Sequence, residues 1–367
     1  MALKRFEGKA GTLVTVEHNS AILADNPLGD PRLRQFPVWL PPGYDQQLGH
    51  DRGKRYPVLF DLVGYTGAGQ AHTNWRGFDE NVPERAARLM HQHKMTGCII
   101  VFPDCFTALG GNQYINSSAI GNYADYLTKE LIPCIDQEFR TLASREHRGC
   151  FGKSSGGYGA IVHGMKYTKY WGAIANHSGD SYFDFIYRSD WPNTLAQLAR
   201  FTDPKKRPGK WAYPDDLPND GTDDGRILAF LNHVWRREHL NNNEMHCLMN
   251  LCMAATYDPD PGAPNGFRIP FDFETGEIIP ERWRNWLRHD PIKLVKKYAS
   301  NLRKLRGLYM DCGWRDQYHI HYAMRILAKN LTAEHIDHHY EEFDGTHSGV
   351  DSRMDVSLPY LQKCLRG

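Results

Sequence analysis

A mostly parallel, doubly wound α/β sheet is the architecture this sequence predicts. Three observations predict it. Apolar runs of strand length recur at 56–63, 95–102 and 305–310, and segments with helical apolar spacing separate them. A small, apolar, proline-free helix, Gly157 to Tyr167, then follows a short strand-like stretch, Glu146 to Phe151. Strands that alternate with helices imply a sheet covered on both faces.

Taken in order, Thr12 to His18 and Gln35 to Leu40 read as the first two strands, the second stopped by Pro41-Pro42-Gly43. Tyr56 to Val63 and Met95 to Phe102 read as interior strands, closed by Gly64 and by Pro103-Asp104. Val82 to His93 forms the helix between them. Leu127, Leu131, Ile132 and Ile135 give Tyr123 to Phe139 the spacing of a second. Trp171 to Ala175 is a further strand. From Gly179 to Leu294 the alternation stops: the segment is rich in Pro, Asp and Asn, and carries five of the nine tryptophans (Trp191, Trp211, Trp235, Trp283 and Trp286) with one helix expected at 224–239. It reads as an insertion, because a strand returns at Leu305 to Met310. A last strand, His335 to Phe343, and a helix, Asp351 to Leu365, finish the pattern.

Charge excludes some partners. Of 367 residues, 44 are Lys or Arg and 43 are Asp or Glu, and the net charge of +1 supplies no field to draw in nucleic acid or an anionic membrane. A small neutral substrate fits better. Met1 to Ser20 holds no apolar run of signal-peptide length and no later segment approaches a membrane span, so the expected location is the cytoplasm. Eight cysteines without C-x-x-C spacing read as buried, reduced thiols. The pairs His91/His93 and His319/His321 lack a third ligand at metal spacing, so neither a metal nor another cofactor is expected. Self-association into a homo-oligomer stays open.

Chemistry concentrates at Gly152-Lys153-Ser154-Ser155-Gly156, which fits G-x-S-x-G. That motif carries a serine on a strained turn between a strand and a helix, and its glycines leave room where a Cβ would clash. Gly152-Lys153-Ser154 also looks like the tail of a phosphate-binding loop, but the glycine required five residues earlier is His147. Ser155 is a second conceivable nucleophile. Centring the motif on it would put Lys153 where the first glycine belongs, so Ser154 is preferred.

A serine hydroxyl needs a histidine to accept its proton and a carboxylate to hold that histidine in the right tautomer. On this kind of elbow the chain order is serine, acid, histidine. The loop after the strand that follows the insertion offers Asp311 and Asp316; Asp311 sits at the strand end, and Asp316, well into the loop, is favoured. The loop after the last strand offers His347 among turn residues, Gly345-Thr346-His347-Ser348-Gly349. His335, His338 and His339 belong to the strand itself. An oxyanion hole would combine the backbone N–H of Ser155 with that of Tyr65, which follows Gly64 at the end of an early strand.

The sequence resembles the putative esterase family of α/β-hydrolases, which includes esterase D (S-formylglutathione hydrolase), feruloyl and enterochelin esterases and the mycolyltransferases. The resemblance lies in Phe36 to Tyr44 (FPVWLPPGY), Tyr56 to Phe60 with Gly64-Tyr65, Gly121 to Pro133, the Ser154 elbow, Gly313-Trp314-Arg315-Asp316 and Gly345-Thr346-His347. It implies one α/β-hydrolase domain over residues 1–367, with 179–294 as an insertion or cap before the penultimate strand. It also implies a serine carboxylesterase acting on small esters or thioesters: Ser154 as nucleophile, Asp316 as acid, His347 as base, and Tyr65 and Ser155 as oxyanion donors. An acyltransferase using the same acyl-enzyme, or a binding protein that has lost turnover, are the alternatives. The insertion is longer than in esterase D, and its tryptophans either form a satellite core or wall the substrate pocket.

Overall fold

The computed structural model describes residues 8–44, 53–202 and 220–366. Eight strands form one sheet: β1 (Thr12–Asn19), β2 (Leu33–Leu40), β3 (Val58–Leu62), β4 (Ile99–Val101), β5 (Arg148–Lys153), β6 (Ala173–His177), β7 (Gly307–Gly313) and β8 (His339–Phe343). Their spatial order is β1-β2-β4-β3-β5-β6-β7-β8. β2 runs antiparallel to both β1 and β4, and every other pairing is parallel.

The interior strands bury both faces, as their unbroken apolar runs require. Side chains alternate across the sheet. Val58 and Phe60 share one apolar cluster with Cys150 and Ile174, whereas Leu59 joins Phe151, Ala173 and Ala175 on the other side. The second face is covered by α1 (Val82–His91) and, at the end of the chain, by Met354–Leu365. α1 starts where the sequence says it should: Asn81 accepts from the Glu84 N–H and the Glu84 side chain returns to the Asn81 N–H, a capping box, with proline in the first turn. The first face carries the helical run α2, from Tyr123 to Glu138 with a π-helical stretch at Tyr126–Leu131, and α3 (Ser155–Lys166).

Between β6 and β7 the chain is helical: α4 (Phe183–Ile186), α5 (Trp191–Ala199), α6 (Arg226–Val234), α7 (Asn242–Tyr257), α8 (Pro280–Leu287) and α9 (Pro291–Leu302). Trp191, Phe230, Leu251 and Trp286 bury into the same apolar cluster as Phe60 and Tyr158. Residue 294, where the composition shift places the end of the insertion, lies inside α9. That helix begins earlier, because Asp290 caps it by accepting the Ile292 N–H and Pro291 fits its first turn. α10 (Ile320–Ala333) and α11 (Met354–Leu365) complete the structure. All eight cysteines are free. Among the described residues no helix is long and apolar enough to cross a membrane.

Candidate active site

Between β5 and α3 the chain turns on Ser154, at φ 55° and ψ −125°. A non-glycine residue in this region is strained and persists only when its surroundings hold it. The Ser154 N–H donates to the His177 carbonyl at 3.0 Å, and the Ser154 carbonyl accepts from the Tyr158 N–H at 2.9 Å. The flanking glycines make room: a Cβ on Gly152 would lie 2.2 Å from the Leu62 oxygen, and one on Gly156 would lie 1.7 Å from the same atom. Only glycine lets helix and strand approach this closely.

His347 stands in the loop after β8, and its Nδ1 is 2.7 Å from Oδ2 of Asp316, in the loop after β7. Each is fixed by further bonds. The His347 N–H donates to Gln317 Oε1 at 3.0 Å, and Asp316 Oδ1 accepts the Tyr318 N–H at 2.8 Å. Burial works to raise the Asp316 carboxyl. The bond and charge of His347, with the N–H groups of Tyr318 and Ile320, outweigh it and hold the carboxyl below the usual range.

Asp311 is engaged elsewhere. Its Oδ1 lies 2.7 Å from His177 Nδ1, and its Oδ2 accepts from Arg353 Nε at 3.0 Å and the Tyr309 hydroxyl at 2.8 Å. His177 Nε2 is in turn 2.8 Å from Ser357 Oγ. Ser357, His177 and Asp311 thus form a hydrogen-bonded serine–histidine–aspartate chain of their own, but all three are 0% exposed, which closes it to any substrate.

Ser154, His347, Gly64 and Tyr65 line one cavity of about 330 Å³. Gly64 lies beside the serine: a Cβ there would be in ordinary contact with Ser154 Cβ, at 3.5 Å. The turn that carries Tyr65 is clamped from behind. Its hydroxyl donates to the Leu109 carbonyl at 2.6 Å, and a Cβ on Gly111 would fall 2.1 Å from the Tyr65 oxygen. Ser155 opens α3, so its N–H is among the four that no carbonyl of the helix can accept. The structure therefore brings Ser154, His347, Tyr65 and Ser155 to one place, with Asp316 behind His347.

The 179–294 segment supplies the opposite wall through Asp180, Ile186, Tyr187, Asp190, Met245 and Met249. None of its described tryptophans lines this cavity. Trp191 packs edge-on against Trp283 at 5.1 Å, Trp286 packs against Tyr187 and Tyr257, and Trp235 donates its indole N–H to the Ala108 carbonyl. Trp211 falls outside the described residues. Their size suits them to joining helices, and the wall falls to Ile186 and Tyr187 at the end of α4 and to Met245 and Met249, one turn apart on α7. Two signals for this wall were present in the sequence. Asn241 and Glu244 form a capping box that announces α7, and Asp180 follows a parallel strand at its carboxyl end, where α/β sheets bind ligands.

Comparison with known proteins gives the family and the fold. The sequence model of the family described as Putative esterase matches residues 31–354. Two mycobacterial proteins, Esterase MT1326 and Esterase Rv1288 of Mycobacterium tuberculosis strains CDC 1551 and H37Rv, are each 30% identical over 190 residues, covering 47% of this chain. The match spans only 38% of their own length. Among solved structures, a ferulic acid esterase superposes with a TM-score of 0.58 at 17% identity, covering 96% of this chain and 99% of that one. An S-formylglutathione hydrolase from Agrobacterium tumefaciens superposes at 0.52 with 15% identity and full coverage of both chains. At such identities the likeness is one of fold.

Proposed function

The chain belongs to the Putative esterase family, and from that premise we propose that it is a serine carboxylesterase of the cytoplasm, acting on small-molecule esters or thioesters through an acyl-enzyme on Ser154. One observation carries the proposal: the strained Ser154 and the Asp316-bound His347 line one cavity, which Tyr65 lines as well.

The Ser154 Oγ–H gives its proton to Nε2 of His347 as Oγ bonds to the ester carbonyl carbon. Asp316 at Nδ1 keeps the imidazole in the tautomer whose Nε2 is free to accept, and stabilises the imidazolium that forms. The carbonyl oxygen takes the negative charge and is met by the N–H groups of Tyr65 and Ser155, the latter at the positive end of α3. Collapse of this intermediate breaks the bond to the alcohol or thiol, which leaves with the proton from His347. Water then adds to the acyl-enzyme, giving a proton to His347, and the carboxylic acid departs as His347 passes that proton to Ser154 Oγ.

The purified protein, assayed against a panel of short acyl esters and thioesters, tests the reading. Turnover in the wild type that falls by several orders of magnitude in Ser154→Ala is expected; a Ser154→Ala enzyme as active as the wild type refutes it.

A further inference from the structure

The wall facing Ser154 contains a carboxylate that the reaction does not use. Asp180 is 7% exposed, and what surface it has lies on the cavity. Its Oδ2 accepts from Gln113 Nε2 at 3.1 Å, from the Tyr187 hydroxyl at 2.9 Å and, at 3.5 Å, from the hydroxyl of Ser155. Gln113 also donates to Ser155 Oγ at 2.7 Å, and the Tyr187 oxygen lies 3.3 Å from that of Tyr257. These contacts fix the carboxylate beside the residue that follows the nucleophile. Its second oxygen, Oδ1, has no hydrogen-bond partner among the described residues.

Oδ1 is therefore a carboxylate acceptor open to the cavity, and hydrogen bonds to charged groups are stronger than neutral ones, so a ligand that supplies the missing donor gains by it. The charges around the cavity sharpen the choice of ligand. Asp190 is a second carboxylate on its wall, and Lys153, which also lines it, has its ammonium on Asp351. Among the described residues that line the cavity, no lysine or arginine is left to receive an anion.

We propose that Asp180 is a specificity-determining residue whose Oδ1 accepts a hydrogen bond from the substrate, so that the enzyme selects esters carrying a hydroxyl or ammonium donor near the scissile carbonyl and disfavours those carrying a carboxylate. This rests on the serine-esterase reading and extends it to a substrate class.

The test compares kcat/KM within matched sets of esters. Phenyl propanoate is set against phenyl 3-hydroxypropanoate, the phenyl ester of β-alanine and monophenyl succinate, and ethyl against 2-hydroxyethyl benzoate. In the wild type a donor-bearing ester should exceed its donor-lacking match by about tenfold or more, the usual worth of a bond to a charged acceptor. The hydroxyl and amine arms show which donor is used, and the succinate should be the poorest of its set. Asp180→Asn keeps an oxygen for Tyr187 and turns an amide N–H₂ to the cavity, so the donor preference should fall at least tenfold. A wild type with no donor preference, or a preference that survives Asp180→Asn, overturns the inference while leaving the esterase reading standing; a protein that turns over no ester overturns both. If Asp180→Asn does not fold, a structure of Ser154→Ala with the preferred ester decides: a donor within about 3.2 Å of Oδ1 supports the inference, and a donor placed elsewhere overturns it.

Discussion

Asp316 Oδ2 and His347 Nδ1 lie 2.7 Å apart although they come from different loops, one after β7 and one after β8, which are parallel neighbours in the sheet. The pairing of these strands delivers acid and base side by side. Asp311, five residues earlier and still within β7, faces His177 and Arg353 on the closed side of the sheet. Asp316→Asn should therefore lower kcat by about 10⁴, by favouring the wrong tautomer of His347, with little change in melting temperature. Asp311→Asn should do the reverse, lowering melting temperature and sparing kcat in the folded fraction. Steady-state kinetics and thermal unfolding of the two variants check this, and a swap of the two outcomes would identify Asp311 as the acid.

The elbow is equally sensitive to volume. Gly156→Ala would drive a methyl group to 1.7 Å from the Leu62 carbonyl oxygen, a backbone atom that cannot swing aside. The helix must move, and Ser154 with it. The expected loss is about 1–3 kcal/mol in urea unfolding together with a large fall in kcat. A fully stable and active Gly156→Ala protein would show that the close approach does not exist.

The 179–294 segment separates structure from selectivity. Trp191, Trp283 and Trp286 are buried among other aromatic rings and do not line the cavity, so each change to alanine should cost about 3–5 kcal/mol while leaving the ratio of kcat/KM between a short and a bulky ester unchanged. Met245→Ala and Met249→Ala, on the cavity wall, should move that ratio toward the bulky ester. Kinetics with the two esters and melting curves for all five variants distinguish these roles, and tryptophan variants that shift the ratio would count against this division.

Asp290 gives the protein a stability term of unusual sign. Burial raises its carboxyl to about 6 despite N–H donors from Phe183, Tyr182 and Ile292. Because the folded value lies above the unfolded one, near 3.8, the contribution is fully present below about pH 4 and is lost as pH rises through about 6. Melting temperatures of wild type minus Asp290→Asn should thus decline between pH 4 and pH 7. A difference that grew over this range would mean that the carboxyl is lowered rather than raised.

Much of this site is local in sequence and was legible there. Ser154 is announced by its glycines, and His347 and Asp316 by their places after the last two strands. The fold's strands were legible too, with their ends displaced: β3 occupies only Val58–Leu62 of an apolar run that extends from 56 to 63, whereas β7 runs on to Gly313, past the expected end at Met310. α10 went unread although Ile320, Ala323, Met324, Leu327 and Leu331 carry helical spacing; its histidine-rich opening and the left-handed His319 that starts it look like loop. For Asp180 only its place at the carboxyl end of β6 is local; the setting of its carboxylate is not. It depends on Gln113 and Tyr187, brought together only by folding.

The central claim, a covalent acyl-enzyme on Ser154, is tested most directly by intact-mass spectrometry of the protein quenched in acid during turnover of a p-nitrophenyl ester. The wild type should gain the mass of one acyl group, mapped by peptide sequencing to Ser154, and Ser154→Ala should gain none. An acyl group on another residue, or an adduct of the same mass on Ser154→Ala, would contradict the account.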